Sequence, residues 1–132
     1  MNGGSRVHTA CLLAAIGLVA LAGCERGGAA APPALTQITS PAGPGSGEPF
    51  LALGSDGVMY LSWLEPVDSA HALRFAAYDG ATWSAPRTIR EGRDFFVNWA
   101  DFPSIKVLDD GRLAAHWLQR TGSGTYAYGV RV

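Results

Sequence analysis

Two stretches of the chain carry one pattern without a gap. "EPFLALGSDGVMYLSWLEP" begins at Glu48 and "DFPSIKVLDDGRLAAHWLQR" begins at Asp101. Pro49 matches Pro103, Leu51 matches Ile105 and Leu53 matches Val107. Asp56-Gly57 matches Asp110-Gly111, and Trp63-Leu64 matches Trp117-Leu118, every pair at one and the same offset. A fixed period of this size is the mark of a repeat architecture, in which each unit buries its apolar face against the next.

Within each copy the apolar residues alternate at period two, which predicts strand, Asp-Gly turn, strand. Asp-Gly suits a tight hairpin because glycine takes a positive φ without cost. After the first copy, "HALRFAAY" places Leu73, Phe75 and Ala77 on one side. A second turn, Asp79-Gly80, then leads into "TWSAPRTI", read as a fourth strand with Trp83 anchoring it to its neighbours. In the second copy "TYAYGVRV" starts a third strand with Tyr126, Tyr128 and Val130 alternating as packing residues. The expected fold is therefore all-β. It has one complete four-stranded antiparallel blade of a β-propeller, about 48–101, and a partial second blade, 102–132. One blade and most of another do not close a ring. The chain thus reads as the N-terminal piece of a longer protein, or else as a small sheet protein that stands alone or oligomerises.

The segment before the repeat is of another kind. "MNGGSRVHTA" carries Arg6 and no acid, and the apolar run from Cys11 to Gly23 is too short for a span of about 20 residues. It reads as the core of a signal peptide, 1–23. Leu21-Ala22-Gly23-Cys24 resembles the bacterial lipobox, which implies cleavage before Cys24 and lipid on that residue. The alternative is ordinary secretion with a cut near Ala29-Ala30-Ala31. Cys11 and Cys24 are the two cysteines, so the mature domain is expected to hold no internal disulfide. Residues 24–47, rich in Gly, Ala, Pro and Ser, read as a flexible tether. Such a tether reaches on the order of 25 Å. The expected location is the bacterial cell envelope, with the membrane as partner through Cys24. The lipoprotein resemblance implies the outer membrane where two are present, because Glu25 follows the cysteine in place of the Asp that often holds lipoproteins at the inner membrane.

The net charge of −1 supplies no field for nucleic acid, and no basic cluster points to one. With no cysteine or histidine cluster, no metal and no cofactor is expected. His116, matching Ser62 in the repeat, is a strand residue, and His71 opens a strand.

"AAYDGATWSAPRTI" resembles the aspartate-box turn of sialidases and related bacterial propellers, S-x-D-x-G-x-T-W. Ala77 stands at the serine position, and Asp79 lies four residues before Trp83 rather than five. The resemblance covers the region from Pro49 to Val132. It implies a propeller, and for an active member three arginines on the substrate carboxylate, a Tyr/Glu nucleophile pair and an Asp acid/base. The family's first arginine is expected near the start of the first blade, where this chain has "EPFLAL". That departure weighs against a working enzyme. In the family the Asp-box turns lie at the end opposite the ligand channel. Asp79, with Asp56 and Asp110, is therefore a structural residue.

Chemistry is expected at the other end, in "EPVDSAH", "REGRDFFVNWADF" and "QRTGSGT". Asp101, just before the inner strand of the second unit, is the candidate general acid, provided burial raises its pKa. The alternative is that it caps a turn. Arg90, Arg93 and Arg120 suit a carboxylate, which guanidinium grips through paired hydrogen bonds. Asn98 and Trp99 suit the polar edge and flat face of a glycan, though Trp99 could equally pack between blades.

Overall fold

The computed structural model describes residues 31–132. The signal-peptide and Cys24 readings lie outside the described residues. Residues 38–132 form one compact unit, which holds every strand among the described residues.

The first sheet has four strands in sequence order: β1 (Gly47–Leu53), β2 (Met59–Val67), β3 (Ala70–Tyr78) and β4 (Arg87–Gly92). The second has three: β5 (Ser104–Val107), β6 (Leu113–Arg120) and β7 (Tyr128–Arg131). All pairings are antiparallel. The protein is all-β, with no helix among the described residues.

The repeat reappears bond for bond in the first hairpin of each sheet. The Gly54 N–H donates to the Val58 carbonyl (2.9 Å) and the Gly57 N–H to the Gly54 carbonyl (3.0 Å). The Leu108 N–H donates to the Arg112 carbonyl (2.8 Å) and the Gly111 N–H to the Leu108 carbonyl (2.9 Å). Gly57 has φ 81° and Gly111 φ 80°, while the aspartates before them keep negative φ. Each aspartate instead accepts a backbone N–H two residues on, Asp56 from Val58 (3.0 Å) and Asp110 from Arg112 (3.1 Å). Glycine supplies the backbone angle and aspartate supplies the acceptor.

The fourth strand of the first sheet and the third of the second depart from the sequence reading. β4 begins at Arg87, after Pro86, which has no N–H to give a ladder. Trp83 lies ahead of it, bridged to Tyr78 with ring centroids 5.0 Å apart. Ser84 closes this turn: its N–H donates to the Ala77 carbonyl (2.8 Å), and its hydroxyl accepts from the Ala77 N–H (3.0 Å). In the second sheet β7 starts at Tyr128, and Tyr126 sits exposed in the preceding loop rather than in the strand.

One face of the first sheet packs on the second. Leu64, Leu73 and Phe95 are buried together, with Ile89, Ala115 and Trp117 against them. Removing each large apolar side chain from water contributes about 1.5–3 kcal/mol. The edge strands β1 and β5 lie side by side.

Candidate functional site

Antiparallel strands joined in order send their connections to alternate ends. The turns at Asp56-Gly57, Asp79-Gly80 and Asp110-Gly111 share one end. The connections at Asp68, residues 93–103 and 121–127 share the other. Asp79 is a turn residue in its hydrogen bonding also. Its Oδ1 accepts from the Ala81 and Thr82 N–H groups, both at 2.8 Å. The N–H groups of Thr82 and then Ala81 hold its carboxyl below the usual carboxylate range. A groove of about 520 Å³ opens near these turns, lined by Tyr60, Phe75, Arg87, Ile89 and Leu113 among others. Its charge comes from Arg87, whose guanidinium lies 5.4 Å from the Phe75 ring centroid.

The connection from β4 to β5 carries most of the candidate residues. Its first part lies along β6: the Phe96 N–H donates to the Leu118 carbonyl (2.9 Å) and the Arg120 N–H to the Asp94 carbonyl (2.8 Å). This extended stretch sends neighbouring side chains to opposite sides. Phe95 joins the core between the sheets. Phe96 stacks on Tyr128 with centroids 4.1 Å apart.

The polar candidates divide with them. On the inner side, the Arg90 guanidinium lies 4.8 Å from the Phe95 centroid and 5.5 Å from that of Trp117. It bonds Asp94 at 2.6 Å, and the Gln119 amide donates to the other Asp94 oxygen at 2.7 Å. Arg131 in turn donates to the Gln119 carbonyl oxygen at 2.9 Å. The bond from Arg90 is the main reason the Asp94 carboxyl lies below its ordinary range. On the outer side, Arg120 lies 5.2 Å from the Phe96 centroid. Arg90 and Arg120 therefore do not converge on one carboxylate, and Arg93 is exposed.

The turn 98–101 belongs to the outer side. Asn98 accepts the Ala100 N–H (3.1 Å) and donates to Asp101 Oδ2 (3.3 Å). The Tyr128 hydroxyl donates to that same oxygen at 3.1 Å. Trp99, at the tip, is 88% exposed, so it packs against no neighbouring sheet. Asp101 is exposed rather than buried. The hydrogen bond to Asp101, and then the Asp101 charge, push the Tyr128 phenol up. Tyr128 is a site residue that alternation marks only as packing. Gln119 and Arg131 carry no sequence signal at all.

Elsewhere His116 Nδ1 lies 2.9 Å from the Ser104 hydroxyl within the β5–β6 ladder, and His71 pairs with Pro66 near the start of β3. Among the described residues no three His, Cys, Asp or Glu side chains gather as a metal site would require.

The fold and this turn define the class: an all-β protein of two antiparallel sheets, with an exposed indole held beside a hydrogen-bonded carboxylate, amide and phenol. No family model, curated protein or solved structure matches the chain.

Proposed function

We propose that residues 48–132 are one blade and part of a second from a sialidase-like β-propeller, lipid-anchored through Cys24 in the bacterial envelope, and that this chain binds glycan without cleaving it. The single observation that carries the binding reading is the turn 98–101. It offers Trp99 as a flat apolar face beside Asn98, Asp101 and the Tyr128 hydroxyl. A pyranose ring presents the matching chemistry: C–H groups on one face and hydroxyls at the rim. Arg120 on the same side adds positive charge for an acidic sugar.

Three observations speak for binding over hydrolysis. Asp101 is exposed, the Tyr128 hydroxyl donates to Asp101, and Arg90 is committed to Asp94. The propeller reading is supported by β1 and β5 lying side by side and by hairpins repeated at a constant sequence spacing.

The test is titration of the full chain with sialyllactose and with lactose, followed by tryptophan fluorescence and calorimetry. Saturable binding is expected, at least about tenfold weaker in Trp99→Ala, or roughly 1.4 kcal/mol. Thermal stability should stay as in the parent, since Trp99 buries nothing. No binding of either sugar, or equal binding by the variant, would overturn the reading. Release of free sialic acid would overturn its non-catalytic part.

A further inference from the structure

The space between the sheets is filled at one end and open at the other. Deeper in, Leu64 and its cross-strand partner Leu73 pack against Phe95. On the same face nearer the Asp-Gly turns, the paired residues are Tyr60 and the small Ala77. The hairpin of the second sheet contributes Gly111 and Leu113 there, and about 520 Å³ stays open. That volume falls in the range of small-ligand sites, which are mostly apolar with a few placed polar groups.

The one charged residue lining this groove is Arg87, and a break in strand pairing puts it there. Leu73 faces Arg90, so regular pairing would set Ile89 opposite Arg74 and Thr88 opposite Phe75. Instead Thr88 is opposite Arg74, and Arg87 is opposite Phe75. Ile89 is the extra residue of a β-bulge, a device that re-aims the side chains beyond it. Its outcome is a guanidinium 5.4 Å from the Phe75 ring centroid. Arg74, Arg90 and Arg112 are each paired with an acid, whereas Arg87 is paired with none among the described residues.

We propose that this groove binds a small aromatic carboxylate, its ring against Phe75, Ile89 and Leu113 and its carboxylate on Arg87. A guanidinium grips an ionised carboxylate through paired hydrogen bonds. A bare anion would meet Arg87 but leave the apolar lining in water, and a neutral aromatic would cover the lining but leave the charge unmatched. The groove lies at the end opposite the turn 98–101, so it does not depend on the glycan reading.

The test is calorimetric titration of the full chain with 2-naphthoate. The controls are 2-naphthylmethanol, which keeps the rings without the charge, and acetate, which keeps the charge without the rings. Saturable binding of 2-naphthoate is expected, at least about tenfold tighter than of either control. Arg87→Gln should weaken it at least about tenfold while thermal unfolding stays close to the parent's, since the side chain is exposed. In Arg87→Glu the preference should reverse: 2-naphthoate is lost, and 2-naphthylmethylammonium, which the parent does not bind, takes its place. No saturable binding of 2-naphthoate by the parent overturns the proposal. So does either control binding as tightly as 2-naphthoate, or either variant binding 2-naphthoate like the parent.

Discussion

The two sheets share a hairpin and differ in almost everything around it. Both turn through glycine at nearly the same φ, and both place a tryptophan at the same position beyond the turn. In the first sheet the Trp63 indole donates to Glu65 (2.9 Å), and Glu65 also bonds Arg74 (3.1 Å) and the Gly43 N–H (3.3 Å). In the second the equivalent positions hold Trp117, Gln119 and Arg131. The Gln119 amide is already spent on Asp94 and Arg131, and the Trp117 indole N–H makes no hydrogen bond. Turn geometry is fixed by a few adjacent residues, so it repeats with the sequence. The partner of a buried indole depends on what packs nearby, so it does not.

Breaking the tryptophans should separate the two environments most widely. Trp63 is fully buried and hydrogen-bonded, whereas Trp117 is part-exposed with its N–H unused. Trp63→Ala is expected to cost about 3–5 kcal/mol, the range for a large aromatic removed from a core. Trp117→Ala should cost about 2 kcal/mol, mainly apolar contact. Urea unfolding of both variants against the parent measures the difference. Equal losses would mean that the indole's hydrogen bond and deeper burial contribute nothing.

The polar partner gives the next largest effect. Glu65→Gln removes the charge facing Arg74 and weakens the acceptor of the indole, and is expected to cost about 1–2 kcal/mol near neutral pH. The bond from Trp63, then those from Gly43 and the charge of Arg74, hold the Glu65 carboxyl below its ordinary range. A depressed folded-state pKa means stability that is present above the unfolded value and lost as pH falls through the folded one. The gap between parent and Glu65→Gln should therefore be full above about pH 5 and shrink below about pH 4. Asp94 is depressed in the same direction but is common to both proteins, so it drops out of the comparison. A gap that stays constant down to acid pH would remove the ionised Glu65 from the account.

The same contrast explains what is legible in the chain alone. Strands β1, β2, β3, β5 and β6 follow from alternation and turn residues, and the matched hairpins follow from a period without gaps. The likeness of Arg74 and Arg131 is hidden. Arg74 faces Trp63 across one hairpin and Arg131 faces Trp117 across the other, but the loop 121–127 is longer than the turn at Asp68-Ser69. That extra length breaks the register a sequence comparison relies on, and Tyr126 moves from strand to loop with it. The division of the candidate site is hidden for a related reason. Phe95-Phe96 is an apolar pair with no alternation around it, so nothing in the sequence tells which phenylalanine enters the core. Only their placement along β6 sends Arg90 and Arg120 to different sides. The turn 98–101 is partly legible, since Asn98, Trp99 and Asp101 are neighbours. The part supplied by Tyr128, 27 residues beyond Asp101, is not.

The smallest expected effect sharpens the comparison from the side where the sheets agree. A Cβ at either Gly57 or Gly111 would meet no atom within 4 Å, so Gly57→Ala and Gly111→Ala create no clash. What remains is the backbone: an L-residue held at φ near 80°. Each substitution should cost about 1 kcal/mol, and the two costs should agree within the usual scatter. Equality is the informative outcome, because the sheets differ in strand number, in the partner of the buried tryptophan and in what covers their outer faces. If both unfold at the same urea concentration, the hairpin is a unit whose energy is set by its own residues wherever it is placed. If Gly111→Ala costs clearly more, the surroundings reach into the turn, most directly through Arg112, whose side chain bonds Asp110 at 2.7 Å where Val58 can offer Asp56 no such contact.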